Sequence, residues 1–252
     1  MNDLKGEERK AENSPLEQHN MKTESRKQAF SIKKAHQTQL QLSKRIIPKD
    51  KLPKKVRLVA GVDLAYVGSL SIGAVAVLEY ETLNLVESCI ATCKTHFPYI
   101  PTLLSFRETA PAVLCIRKLQ TNPDLFLVDG QGFAHPYHCG FASHLGLVVD
   151  KPTIGVAKSR LFGKADYSKT KEGVAYLKHQ GEIVGAEVTT KSGAKPIYVS
   201  VGHKVSLETA IKIVKNCTRN NRIPEPIRKA HEIATEKKRK INIASAPSTK
   251  SK

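Results

Sequence analysis

The stretch DLFLVDGQGFAHPYHCGFASHLGLVVDKPTIGVAKS, residues 124–159, decides the fold. It begins with a short apolar run that ends in Asp-Gly, which is typical of a buried parallel strand that meets a loop. FASHLGLVVD then predicts a helix, and TIGVAKS predicts the next buried strand. Strand, helix and strand form a βαβ unit, which places the ends of both strands at one edge of a sheet.

The segments on either side of this unit extend the sheet. Upstream, RLVAGVDLAY, SIGAVAVLEY and NLVESCIATCKT are apolar segments joined by short polar links, which predicts an antiparallel meander. LLSFRETAPAVLCIRKLQ predicts a helix before the βαβ unit. Downstream, EVTTKSGAKPIYVSVGHKV predicts a hairpin, SLETAIKIVKNC a helix capped by Ser206, and EPIRKAHEIATEKKRK a last helix. This order favours an α/β fold, a ribonuclease H-like mixed β-sheet flanked by helices on both faces.

The two ends of the chain differ in composition from its middle. Residues 1–23 are polar and lack periodic hydrophobicity, so we expect a disordered basic or polar extension. Residues 24–240 are expected to form one folded domain, and residues 241–252 a flexible basic tail. From about Glu24 to Ile47 the composition favours a helix, which we expect to dock through its few apolar residues, Ala35, Leu40, Leu42 and Ile46.

Composition also narrows the class of protein. The formal net charge of +18 favours a polyanionic partner such as nucleic acid, although an ordinary protein with charged tails would also carry it. Five cysteines without paired CxxC motifs indicate reduced thiols and a cytoplasmic location. The N-terminus lacks the apolar core of a signal peptide, and the apolar runs are only as long as strands, so we expect no membrane association. We expect a monomer without an obligate protein partner.

Two aspartates in apolar strands are the first candidates for chemistry. Asp63 lies within RLVAGVDLAY, and Asp129 ends DLFLVD. A buried carboxylate is costly unless a cation or hydrogen bonds compensate it, so each aspartate alone could cap a loop or pair with an arginine. Two such acids on core strands favour a shared ion, and their oxygen ligands select Mg²⁺, with Mn²⁺ as a substitute.

Glu108 and Lys158 are further candidates with ordinary alternatives. Glu108 follows SFR near the start of a helix, where its charge would also stabilise the helix N-terminus. Lys158 ends TIGVAK at the same sheet edge as Asp129, but lysines at strand ends are also common on protein surfaces.

The residues His135, His138, Cys139 and His144 raise the question of zinc. No second cysteine pair completes a tetrahedral set of ligands, so the pattern disfavours a zinc site. We instead expect His135 to form a wall of a substrate pocket and His144 to pack on its helix.

The stretch FPYIPTLLSFRE is unusual because two prolines flank Tyr99 and Ile100. The prolines predict a stiff, extended loop with an aromatic tip. Such a loop is either a rigid connector or a wedge, in which the aromatic ring stacks in place of a base that has left the double helix.

Six short motifs follow one another along the chain, namely GVDLAY, PYIPTLLSFRE, DGQGFAHP, ASHLG, PTIGVAKSRLFG and IPEPIRKAH. Together they resemble the endonuclease V family, the deoxyinosine 3′-endonucleases, over about residues 35–234. The resemblance implies that residues 24–240 form a catalytic domain of DNA repair, whose partner is DNA that contains deoxyinosine. It also implies Mg²⁺-dependent hydrolysis of the second phosphodiester bond 3′ to the deaminated purine, which leaves 3′-hydroxyl and 5′-phosphate ends.

The same resemblance implies roles for individual residues. The metal acids of the family match Asp63 and Asp129, and its catalytic glutamate, lysine and histidine match Glu108, Lys158 and His231. Its wedge matches Pro98, Tyr99, Ile100 and Pro101. Its pocket for the flipped hypoxanthine matches Leu104, Gly132, His135, Gly140, Phe141, Ala157 and Leu161. The glycines would let a backbone donor approach the 6-oxygen of hypoxanthine, which adenine lacks.

Three other functions stay open. The first is an endonuclease that acts on inosine in RNA, because the same pocket could serve both nucleic acids and a contact to the 2′-hydroxyl would decide. The second is a non-catalytic protein that binds inosine, which the loss of an acid would have signalled, but Asp63, Glu108 and Asp129 are all present. The third is a junction resolvase on the same fold, although the wedge and glycine-rich pocket favour recognition of a single base.

Overall fold

The computed structural model describes residues 31–245. Its contacts divide the chain into two units, Met1–Lys34 and Ala35–Lys252. Of the first unit only residues 31–34 are described, and they include the start of helix α1 (Ile32–Ser43). The disorder expected for residues 1–23 lies outside the described residues. That segment holds four basic and five acidic side chains, so its composition is polar without an excess of positive charge.

Five helices and nine strands make up the described part of the chain. After α1 come β1 (Leu58–Val67), β2 (Leu70–Glu79), β3 (Leu85–Lys94), α2 (Leu104–Ile116), β4 (Leu125–Asp129), α3 (Phe141–Val149) and β5 (Thr153–Ala157). They are followed by β6 (Lys164–Lys171), β7 (Val174–His179), β8 (Glu182–Val188), β9 (Ile197–His203), α4 (Leu207–Asn216) and α5 (Glu225–Ser245). None of the described helices is long and apolar enough to cross a membrane.

The nine strands form one mixed sheet in the order β3-β2-β1-β4-β5-β9-β8-β7-β6. β1, β2 and β3 pair antiparallel, which confirms the predicted meander. β4 lies parallel between β1 and β5, and α3 connects β4 to β5, which confirms the βαβ unit. β8 and β9 form the predicted hairpin. The chain therefore has the expected α/β fold of the ribonuclease H-like type.

The register of the parallel strands sets the position of the candidate acids. Val62 on β1 lies opposite Val128 on β4, so the next residues, Asp63 and Asp129, are neighbours across the strand pair. Asp129 also pairs with β5, one residue before that strand ends. Lys158 follows β5 directly, and the register therefore places it at the same edge of the sheet as the two acids.

Helices cover both faces of the sheet. α2 and α3 pack on one face, over a core that includes Val62 and Phe126. α4 and α5 pack on the other face, over a core that includes Val59, Leu127 and Ile227. Alternate residues of the central strands therefore face different helix layers, as expected for strands buried on both sides.

Helix α5 approaches β1 closely because of one glycine. A Cβ atom at Gly61 would lie 2.0 Å from the carbonyl carbon and oxygen of Pro226, so a larger side chain would force the helix away. Pro226 lies in the first turn of α5, and His231 lies further along the same helix. The contact at Gly61 thus brings His231 near the strand that carries Asp63.

The structure contains one hairpin that the sequence does not predict, and it differs from two sequence-based expectations. The sequence does not predict the β6–β7 hairpin. The edge strand KADYSKTK is polar and lacks the alternation of apolar and polar residues that marks a half-buried strand. α5 continues through residues 241–245, for which the sequence predicts a flexible tail, because no helix breaker occurs before Pro247. In α1, Leu40 is exposed and Gln39 is buried, because two backbone carbonyls beneath the helix require a donor.

Candidate active site

A cleft of about 500 Å³ opens at the sheet edge where β4 and β5 end. Every residue that the sequence predicts for the site lines this cleft, except Pro98 and Gly132. Residues that sequence reasoning did not single out, among them Gln131 and Arg160, also contribute to the lining. The fold therefore brings the predicted acids, most of the wedge and most of the base pocket to one place.

Three carboxylates, those of Asp63, Glu108 and Asp129, share the cleft. Asp63 and Glu108 are only 7% and 8% exposed. Burial, assisted by the charge of Asp63, raises the pKa of Asp129 to about 6. Burial is also the main cause that raises the pKa of Glu108 to about 8, and the charges of Asp129 and Asp63 add to it. Such a cluster favours the binding of a cation.

The two aspartates each contact a basic side chain. Lys158 Nζ donates to Oδ2 of Asp129 at 2.5 Å. Partial burial works against the charged form of Lys158, but the Asp129 carboxylate outweighs it and raises the pKa of the lysine. His231 Nδ1 lies 2.7 Å from Oδ2 of Asp63, although the two residues are 168 positions apart in sequence. The predicted lysine and histidine are therefore both within the carboxylate cluster.

Glu108 is held by Tyr66, a residue that sequence reasoning missed. The Tyr66 hydroxyl donates to Oε1 of Glu108 at 3.0 Å. The guanidinium of Arg107 lies over the Tyr66 ring, 4.1 Å from its centroid. Tyr66 shares the α2-facing side of β1 with Leu64, on the face opposite Asp63. A phenol on an otherwise apolar strand face is the signal that could have revealed it.

The donor set fits a hard divalent ion. Asp63 and Asp129 are adjacent carboxylates, and the charge of Asp63 contributes to the raised pKa of Asp129. Mg²⁺ commonly takes only one or two carboxylates, together with water and phosphate oxygens. Within residues 31–245, no group of three or more His, Cys, Asp and Glu side chains has the arrangement of a metal site. Asp63 and Asp129 therefore fit Mg²⁺ only if water and substrate complete the coordination.

Two histidines that raised the question of zinc pack against aromatic rings. His138 contacts Phe133, with the ring centroids 4.4 Å apart. His144 meets Phe106 edge to face at 5.4 Å, and burial lowers the pKa of His144. The packing role expected for His144 is confirmed.

His135 is fixed as a neutral wall of the cleft. Its Nε2 donates to the carbonyl oxygen of Thr102 at 2.9 Å, and its Nδ1 accepts from the backbone N–H of Tyr137 at 3.2 Å. A carbonyl can only accept and an amide N–H can only donate, so both contacts require the neutral ring with its proton on Nε2. Burial accordingly lowers the pKa of His135 to about 4.

The glycines of the predicted base pocket have two different roles. Gly140 lines the cleft, and a Cβ there would lie 2.4 Å from the carbonyl oxygen of Gln131. Gly132 does not line it, because its N–H donates to Ser200 Oγ at 2.9 Å and a Cβ would lie 2.2 Å from the carbonyl oxygen of Val201. Gly132 is needed for close packing on β9, so the prediction that it faces the base is wrong.

The predicted wedge projects beside the cleft. Tyr99 is 70% exposed and lines the opening with Ile100 and Pro101, whereas Pro98 lies outside the lining. Arg107 Nη1 donates to the carbonyl oxygen of Phe97 at 3.0 Å, which ties the start of the loop to α2. An exposed aromatic ring on an anchored, proline-flanked loop is available to stack on a base.

This ribonuclease H-like sheet, with a carboxylate cluster and a lysine at the edge of a cleft, defines a nuclease. The chain belongs to the endonuclease V family, because the Endonuclease V family model matches residues 40–232. The Endonuclease V of Thermofilum pendens is 45% identical over 207 residues, which cover 82% of this chain and 88% of the relative.

Solved structures of relatives agree with the fold. The Endonuclease V of Streptomyces avermitilis is 35% identical with a TM-score of 0.76, over 86% of this chain and 95% of that chain. The Endonuclease V of Ciona intestinalis, in complex with a 23mer DNA containing an inosine followed by a ribo-adenosine, is 35% identical with a TM-score of 0.74. That match covers 83% of this chain and 98% of the Ciona chain.

Proposed function

We propose that this nuclease recognises deoxyinosine in DNA and hydrolyses the second phosphodiester bond 3′ to it, leaving 3′-hydroxyl and 5′-phosphate ends. The single observation that carries the proposal is that one cleft joins the carboxylate cluster to a pocket beside an exposed aromatic loop. Support comes from the Ciona relative, which was solved with DNA containing an inosine. Cleavage of the strand beside a deaminated purine would be a step of DNA repair.

Asp63 and Asp129 would hold Mg²⁺, for which Mn²⁺ would substitute. The chemistry that Mg²⁺ supplies when bound is activation of a water and neutralisation of charge on the scissile phosphate. Lys158 places a second positive charge beside Asp129, where it would stabilise charge that develops on the same phosphate. His231 orients Asp63 through its 2.7 Å contact.

Glu108 would exchange a proton with the attacking water. Its pKa of about 8 lies near neutrality, which suits a group that takes up and releases a proton during turnover. Tyr66 keeps Oε1 of Glu108 in a fixed orientation. The other oxygen of Glu108 is then the atom that would face the water.

Recognition of the base would depend on backbone groups. Both ring nitrogens of His135 are engaged by Thr102 and Tyr137, so His135 would form a flat wall and would not donate to the base. A backbone N–H directed at the 6-position would donate to the carbonyl oxygen of hypoxanthine and disfavour the amine of adenine. Phe141 and Leu161 would supply the apolar surfaces on either side.

A second candidate is cleavage of RNA that contains inosine. The observation that favours it is the ribo-adenosine that follows the inosine in the Ciona complex. A 2′-hydroxyl next to the scissile phosphate would then be part of the recognised substrate.

The deciding experiment compares four oligonucleotides of one sequence, as DNA and as RNA, each with either a single inosine or adenine. Cleavage is measured in Mg²⁺, in Mn²⁺ and in EDTA, and the ends are mapped on a sequencing gel. We expect metal-dependent cleavage one nucleotide beyond the inosine and none of the adenine controls. Cleavage of RNA alone would select the second candidate, and metal-dependent cleavage that ignores inosine would overturn both.

A further inference from the structure

Helix α1 contributes one fully buried polar side chain to the region behind the cleft. The amide of Gln39 is 0% exposed, and its Nε2 donates to the carbonyl oxygen of Thr102 at 2.8 Å and to that of Cys139 at 3.0 Å. Because both partners are acceptors, the amide must present its NH₂ group to them. Its Oε1 is buried without a hydrogen-bond partner among the described residues, which is costly, so the two bonds donated by Nε2 are what favours an amide at this position.

The two carbonyls belong to the two loops that flank the cleft. Thr102 directly follows the wedge residue Pro101, and Cys139 directly precedes Gly140 of the base pocket. One side chain therefore ties the loop with the exposed aromatic ring to the loop that would surround the base. His135, which lines the pocket, donates to the same Thr102 carbonyl oxygen, so Gln39 and His135 together connect the two loops.

Thr102 also has a backbone conformation that needs external support. Its φ is +69°, a left-handed value that is unfavourable for a β-branched residue. Three side chains hold it, since Gln39 and His135 donate to its carbonyl oxygen and His36 Nε2 lies 3.0 Å from its Oγ1. Strained residues persist when surrounding contacts over-determine them, and they are concentrated at functional sites.

We propose that Gln39 is a positioning residue that sets the wedge loop relative to the base pocket and thereby determines how well the enzyme acts on inosine in duplex DNA. The inference rests on the proposed function and adds a residue outside the cleft to it. Without the Gln39 contacts, Thr102 relaxes from its left-handed conformation and the Tyr99 loop shifts away from the pocket. Duplex substrates suffer most, because only they require the wedge to replace a base within a stack.

A matched pair of substitutions on α1 tests the proposal. Gln39→Met keeps the length of the side chain and removes both donors, whereas Gln41→Met makes the same change at an exposed position of the same helix. We expect Gln39→Met to lower the rate on duplex inosine DNA about tenfold, because small misplacements of reacting groups reduce rates strongly. The rate on the same single strand should change by less than about twofold, and Gln41→Met should match the wild type on both substrates.

A second substitution separates positioning from a loss of folding. Glycine adopts positive φ without strain, so Thr102→Gly removes the need to hold residue 102 in place. Added to Gln39→Met, it should restore part of the duplex rate, which a merely structural defect would not allow. Equal losses on duplex and single strand, or no recovery in the double variant, would overturn the proposal. A wild-type protein that ignores inosine would instead refute the proposed function, so the two failures are distinguishable.

Discussion

Tyr66 donates its hydroxyl hydrogen to Oε1 of Glu108, and this 3.0 Å contact joins the strand that carries Asp63 to the helix that carries Glu108. The contact lowers the pKa of Glu108, against the stronger effect of burial. The Tyr66 ring is itself covered by the guanidinium of Arg107, which also binds the backbone next to the wedge. Tyr66 contacts Glu108 of the carboxylate cluster directly, and it is connected to the wedge loop through Arg107.

Tyr66→Phe should slow cleavage about tenfold near neutral pH while the fold persists. Loss of the donor leaves the carboxylate of Glu108 less stabilised, so its pKa rises further and less of it is ionised. The loss should shrink as the pH is raised toward 9, and single-turnover rates from pH 6 to 9 measure it. Tyr80→Phe, which removes the hydroxyl that accepts from Asn216 elsewhere on the sheet, serves as the control. A pH-independent loss would contradict the role given to Tyr66.

Asp129→Ala should abolish cleavage and leave binding of inosine DNA largely intact. Asp129 belongs to the carboxylate cluster, whereas the proposed base contacts come from the loop that follows it. Removing a negative charge beside the phosphate should even tighten binding in EDTA. Nicking and gel-shift assays separate the two effects, and near wild-type nicking in Mg²⁺ would show that Asp129 is not a metal ligand.

The neutral state of His135 predicts a loss of stability in acid. Its pKa is about 4 in the folded protein, below the value near 6.5 of an exposed histidine, so the unfolded chain binds more protons between these values. Neutral His135 makes its full contribution to the free energy of unfolding above about pH 6.5. This contribution falls as the pH drops, by about 2 kcal/mol at pH 5.

Urea unfolding at pH 7.5 and pH 5 checks this prediction. His135→Gln retains a donor toward Thr102 but cannot be protonated, so it should lose less stability at pH 5 than the wild type does. His96→Gln replaces an exposed histidine and should behave like the wild type. If His135→Gln and the wild type lost the same free energy of unfolding at pH 5, groups other than His135 would be responsible for the acid sensitivity.

The sequence predicts a shared ion for Asp63 and Asp129 from local patterns, whereas the pairing of β1 with β4 that makes them neighbours appears only in the structure. Both acids sit on apolar strands, and the βαβ unit fixes which edge of the sheet its strands share. The βαβ unit also predicts that Lys158, at the end of its second strand, lies at the same sheet edge as Asp129. The resemblance to a known family then supplied His231, whose approach to Asp63 depends on the contact between Gly61 and Pro226.

Other parts of the site could not be predicted because they depend on long-range packing. Gln39 lies in a polar helix, and only the carbonyls of Thr102 and Cys139 explain its burial. Gly132 belongs to the glycine-containing motif that the sequence assigns to the base pocket, but it packs against Val201 on β9. In each case the partner lies more than sixty positions away, where sequence periodicity carries no information.

The exposed ring of Tyr99 leads to the last prediction. Flipping a base out of a duplex costs a few kcal/mol of stacking and pairing. An aromatic ring in the gap would return about 1–3 kcal/mol by stacking on the exposed neighbours. Tyr99→Ala should therefore slow cleavage of duplex inosine DNA more than cleavage of the single strand, which has no partner base to replace. Tyr99→Phe should keep most of the activity, because stacking requires the ring and not the hydroxyl.

The competing explanation is that Tyr99 only packs against the protein. It predicts equal losses on both substrates and a lower melting temperature in Tyr99→Ala, although a side chain that is 70% exposed has little packing to lose. The measurement is the ratio of duplex to single-strand rates for both variants at one salt concentration, beside a thermal melt. Because Pro98 and Pro101 restrict the loop before binding, little ordering entropy opposes insertion of the ring. An unchanged ratio with a lowered melting temperature would therefore exclude the wedge and leave Tyr99 a packing residue.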